Sequence, residues 1–117
     1  METPKSVVGG RCEYRSYDGV AEIVSVTLIG RAEERGRDTF EVKFRFHTHE
    51  AIAESFARGA AGDEPIQLLS VGGEIPRRDF TEAQGLIVGK RIPCVLQAIV
   101  KGTCTPVIFK FPWDGQN

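Results

Sequence analysis

Two histidines placed two residues apart, His47 and His49, are the pair best suited to metal chemistry in this 117-residue chain. On a strand, residues i and i+2 point to the same side, so both imidazoles could address one ion. The other ligands would have to come from Cys12, Cys94 and Cys104, which are single and scattered. Structural zinc sites usually carry paired ligands at close spacing, and the chain contains no CxxC. The simpler assignment is two partly exposed histidines where a strand gives way to a helix. No metal and no cofactor is expected.

Cys104 is the second candidate. It lies in Gly102-Thr103-Cys104-Thr105-Pro106, beside Lys101, where exposure and a neighbouring ammonium would favour the thiolate. A nucleophile also needs a base and an orienting group. No GxSxG, no HExxH and no phosphate-cradling glycine loop supplies them. Gly and Pro account for the segment as a turn, with Thr and Cys capping backbone groups. The expectation is a protein without catalytic residues. A thiol or metal site using Cys104 or His47 and His49 is the enzymatic alternative.

The balance of charge narrows the partners. Fifteen Lys and Arg stand against sixteen Asp and Glu, giving a net charge of −1. A dedicated duplex-DNA or RNA binder normally carries a basic excess, so only a local basic patch is compatible with nucleic acid. No apolar run approaches the ~20 residues that cross a bilayer. The segment METPKSVVGGR lacks the apolar centre of a signal peptide. An odd number of cysteines fits a reducing compartment better than a disulfide framework, and the reading is cytoplasmic. Cys94 and Cys104 on one strand would lie up to ~33 Å apart, against a Cα limit of ~7 Å for a disulfide. Pairing of Cys12 with either one stays open.

The elements that must position these residues are mostly strands. Residues 91–100 and 106–111 flank a short turn and form the expected C-terminal hairpin. Cys94, Leu96, Ala98 and Val100 share one parity of the first run; Val107, Phe109 and Phe111 share one parity of the second. Phe40, Val42, Phe44 and Phe46 alternate with Glu41, Lys43, Arg45 and His47, predicting a strand with one buried and one solvated face. Val20 to Ile29 is rich in β-branched residues. Val24, Val26 and Leu28 lie on one face of it, and Ile23 and Ile29 on the other.

Asp18-Gly19 signals a turn or bulge. It marks either a hairpin between 11–17 and 20–29 or one long bent strand, and the bent strand is preferred. Residues 30–38 form a charged loop. The stretch 49–61 has helical composition, with Ile52 and Phe56 four apart, and 66–71 has strand length. A short helix is expected near 79–84, with Asp79 as N-cap and Gly85 at C′. Residues 1–9 read as a loose leader, 10–112 as one domain and 113–117 as a polar tail.

Five strands with a short helix before the fourth resemble the OB-fold, a small Greek-key barrel. The resemblance covers roughly residues 11–112. It rests on element order, on the long first strand interrupted at Gly19, and on the helix between strands three and four. The helical stretch at 49–61 departs from the simplest pattern, and a mixed sheet packed by two helices is the structural alternative. The expected fold is therefore mainly β, a five-stranded OB-like Greek-key barrel with one or two short helices.

The resemblance implies a ligand face on strands two and three, flanked by the loops joining strands one to two and four to five. In this chain that face would comprise Lys43, Arg45 and His47, with Arg31, Arg35 and Arg37 from the first loop and Lys101 from the second. The arginines could contact phosphates. Glu33, Glu34, Asp38 and Glu41 sit among them, however, and the exposed parity offers no aromatic for a base to stack on. A solvated, charge-balanced face is the simpler reading. The sequence therefore favours a small non-enzymatic binding or protein-interaction module, in which an exposed Trp113 could serve a protein partner. Single-stranded nucleic acid or another anionic ligand on the Arg/Lys face is the alternative.

Overall fold

The computed structural model describes residues 12–114; the predicted leader at 1–9 and residues 115–117 of the predicted tail lie outside the described residues. The chain is mainly β. Its strands are β1 (Glu13–Gly30), β2 (Thr39–His47), β3 (Gln67–Leu68), β4 (Arg91–Lys101) and β5 (Val107–Lys110). Two short helices, α1 (Ser55–Arg58) and α2 (Arg78–Ala83), interrupt them. The strands form one antiparallel sheet in the order β3-β2-β1-β4-β5.

Two strands separate β2 from β5 in that order, yet the ring of Phe109 on β5 packs against Phe44 at 5.3 Å and Phe46 at 5.5 Å. Phe111, just past β5, reaches Phe44 at 5.2 Å. The sheet must therefore curl until its far strands share one core. The result is a half-barrel, open between β3 and β5. Aromatic edge-to-face contacts of this kind add about 0.5–1.5 kcal/mol each beyond their buried area.

β1 is a single strand of 18 residues, as the bent-strand reading expected. Its first half pairs with β4 from Glu13 to Glu22, and its second half with β2 from Val20 to Gly30. Gly19 marks neither a turn nor a bulge: register runs unbroken through Asp18↔Val95, Gly19↔Cys94 and Val20↔Pro93. The bulge falls instead at Val24, between the pairs Ile23↔Phe44 and Ser25↔Lys43. The extra residue reverses the parity of Ser25 to Leu28, and a second irregularity between Leu28 and Gly30 shifts the register again. Tyr17, Ala21 and Ile23 thus share the core face with Val26, which lies opposite the buried Val42. Ile29 is exposed. The expected grouping of Val24 with Val26 and Leu28 is corrected by this one insertion.

β2 matches its alternation. Val42, Phe44 and Phe46 are fully buried, Phe40 packs at the core margin, and the intervening residues face outward. In β4, Ile92, Cys94, Leu96 and Ala98 are buried, whereas Val100 is exposed beyond the β5 ladder, at a register shift between the pairs Tyr14↔Ile99 and Glu13↔Lys101.

The stretch 49–61 is helical only at Ser55–Arg58. Ile52 is buried while Phe56 is exposed, so the two do not share a helix face. The run 66–71 contributes two strand residues, with Leu69 buried beside them. The N-cap of α2 lies two residues earlier than the expected Asp79. It is Arg77, without a side-chain capping bond, and Asp79 accepts from the Phe80 N–H at 2.7 Å inside the first turn. Gly85 does follow the C-cap with φ of +65°, as a C′ glycine should.

Cys12 and Cys104 form a disulfide, with Cα atoms 6.2 Å apart. It ties the start of β1 to the β4–β5 loop, where Tyr14 also donates to the Thr105 carbonyl at 2.7 Å. Cys94 is free and buried. Trp113 does not stand out from the tail: it stacks on Phe111 at 4.9 Å and meets Phe80 edge-on at 5.1 Å. No helix among the described residues is long and apolar enough to cross a membrane.

Candidate functional site

The curl assigns the outward parity of β2 to the convex face of the sheet. Lys43, Arg45 and His47 stand on it in a row, beside Ser25, Glu22 and Val20 of β1. Lys43 pairs with Glu41 at 3.6 Å. His47 Nε2 lies 3.0 Å from Glu22 Oε1, and its Nδ1 lies 3.8 Å from Asp63. The Nε of Arg45 is buried without a hydrogen-bond partner.

On the far side of β2, Leu68 of β3 lies opposite Lys43 and so shares the convex face. Leu68 is 54 % exposed, and Ile66, two residues earlier, is 50 % exposed. Neither side chain is needed to fill the core. Sequence patterning missed both because Ile66, Leu68 and Leu69 read as one apolar run. Alternation alone would have put Ile66 and Leu68 on the buried face with Gln67 outside, the reverse of their exposure in the structure.

The other predicted residues do not converge with this row. Arg31, Arg35 and Arg37 are exposed around the β1–β2 loop, at the Gly30 end of β1. Arg37 leans on Glu34 at 3.7 Å. Lys101 lies opposite Glu13, at the other end of the long strand. The two loops that would flank a ligand therefore sit at opposite ends of β1. Asp38, within the first loop, is buried as an anchor for it. Its carboxylate accepts from the Ala32 N–H at 2.8 Å and from Arg78 at 3.1 and 3.3 Å. The Ala32 bond first, and then Arg78, hold its pKa below the usual carboxylate range, although burial opposes them.

Two adjoining clefts of about 530 and 670 Å³ open where β2 ends, and both are lined by His47, Thr48 and Glu50. They are created by the turn that leaves β2 and crosses the edge of β1. Thr48 donates to the Asp18 carbonyl at 2.6 Å, and Glu50 accepts from the Asp18 N–H at 2.8 Å. Further on, Tyr17 donates to Glu54 at 2.6 Å and Arg15 donates to its other oxygen at 2.6 Å. The Tyr17 bond is the chief reason the Glu54 carboxylate titrates below its ordinary value. This clasp pins the α1 segment across the end of the half-barrel, and no sequence motif advertised it.

Thiol chemistry lacks a free candidate at the surface. Cys104 is bonded to Cys12, and burial, aided by the Asp114 carboxylate, pushes the Cys94 thiol up to about 12. His47 and His49 have no third ligand: among the described residues no group of three His, Cys, Asp or Glu could hold a metal ion. The chain matches no protein-family model, no curated protein and no solved structure.

Proposed function

We propose that the protein is a non-enzymatic interaction module that binds a partner protein on the convex face of β3–β2–β1. The observation that carries this is Leu68, half-exposed opposite Lys43 on that face, with Ile66 half-exposed two residues before it. Apolar side chains rimmed by arginine suit the make-up of protein interfaces. Replacing Ile66 and Leu68 by Asp tests the proposal. The fold should survive, because neither residue fills the core, and co-purification of the native partner should be lost. Unchanged co-purification by a folded variant would contradict it.

An anionic ligand such as single-stranded nucleic acid is the second reading, supported by the row Lys43, Arg45 and His47. Against it, Lys43 and His47 already face Glu41 and Glu22, and the flanking loops diverge. Replacing Arg35, Arg37 and Arg45 by Ala would flatten the salt dependence of strand binding if these groups met phosphates. The expected result is no binding near physiological salt. As for location, the Cys12–Cys104 bond weighs against the cytoplasmic placement suggested by the odd cysteine count, because such bonds persist in oxidising surroundings.

A further inference from the structure

We propose a second docking site, the free edge of β1 beyond Glu22, which accepts an extended acidic-flanked segment of a partner protein as an added strand. β4 begins at Arg91, opposite Glu22, so it leaves the second half of β1 without a neighbour on that side. Among the described residues only the turn before β4 bonds this edge, through Ile23 N–H to Lys90 carbonyl at 2.9 Å and Gly89 N–H to Ile23 carbonyl at 2.8 Å.

Which groups the edge offers follows from the β2 ladder. Phe40, Val42 and Phe46 direct backbone groups away from β1, toward Pro76, Leu69 and Gly62. The intervening β2 residues therefore bond β1 through Ser25 and Thr27. Val26 and Leu28 then direct their N–H and C=O groups to the open side. Among the described residues no backbone or side-chain group bonds them there. A free edge of this kind is a template for strand addition.

The protein treats the two free stretches of β1 differently. On the first half, Thr48 and Glu50 close the edge at Asp18 with side-chain bonds. Among the described residues the second half has no such cover beyond Ile23, and it is bordered by apolar surface: Ile87 and Val88 are 67 % and 66 % exposed in the adjoining turn. Charge selects the occupant. Lys90 and Arg91 stand at one end of the edge and Arg31, which also acts on the Asp38 carboxylate, at the other. Alternate apolar side chains between acidic ends would match this pattern.

The probe is a labelled synthetic peptide of alternating Val and Thr with a Glu pair at each end, titrated by anisotropy with amide exchange followed by NMR. Binding should slow exchange at Val26 and Leu28. The double substitution Ile87→Asp and Val88→Asp, which alters only exposed side chains, should weaken binding by about tenfold or more. A peptide with Lys pairs in place of Glu should not bind. The Ile66→Asp, Leu68→Asp variant should bind the Glu-flanked peptide normally, which separates this site from the convex face. Absence of binding, equal binding of the Lys-flanked peptide, or new protection confined to β5 would overturn the proposal.

Discussion

A Cβ atom at Gly19 would lie 2.2 Å from the carbonyl oxygen of His47, so the crossing of β1 and β2 at this point excludes every other residue. The ring of Phe46 stands 2.6 Å from the same position. Glycine is needed here for close approach within a strand, not for a turn.

Gly19→Ala should therefore destabilise the protein by at least about 1–3 kcal/mol, the usual cost of overpacking, because backbone rather than a flexible side chain must move. Urea denaturation measures it. Stability equal to the wild type would mean that the two strands do not approach this closely.

Phe44 touches Phe109 and Phe111 across the core, so Phe44→Ala should cost about 3–5 kcal/mol. Lys43→Ala, one residue away on the convex face, should stay within about 0.5 kcal/mol. Equal losses for the two would invalidate the inside–outside assignment of β2.

The clean alternation of Phe40 to Phe46 was enough to assign β2, because one face is buried and one is wet along its whole length. The C-terminal hairpin was legible for the same reason. β1 was harder to read: the extra residue at Val24 moves its apolar set from odd to even positions, and a bulge leaves no mark in residue type. The loop 49–61 carries Ala and Glu suited to a helix, but tertiary bonds from Glu50 and Glu54 to β1 hold most of it extended. Lys43 and Arg37 pair with Glu41 and Glu34, carboxylates that stand close to them in the sequence. That Arg31 and Lys101 lie at opposite ends of β1 depends on pairing partners far apart in the chain. The Cys12–Cys104 pairing, with a sequence separation of 92, is equally non-local.

Thiol titration of the non-reduced protein in denaturant should find one thiol, that of Cys94, and after reduction three. Closing so long a loop restrains the unfolded chain, so Cys12→Ser should cost about 2–5 kcal/mol under non-reducing conditions. Three thiols before reduction would show that the Cys12–Cys104 bond does not form.

Asp38 makes stability depend on acid in a defined direction. Its folded pKa is lowered, so its contribution is complete above the unfolded value, ~3.9, and is lost as pH falls through the folded value. The stability gap between wild type and Asp38→Asn should be constant from neutral pH to about pH 5 and close below it. A gap unchanged at pH 2 would mean that the charge on Asp38 does not matter.

A photo-crosslinking amino acid placed at position 68 in the native cell, with position 84 at the C-cap of α2 as the control, tests whether the convex face meets a partner protein. One discrete protein adduct is expected from position 68, suppressed when Ile66 is replaced by Asp, and none from position 84. Adducts to nucleic acid, or the same adducts from both positions, would contradict it.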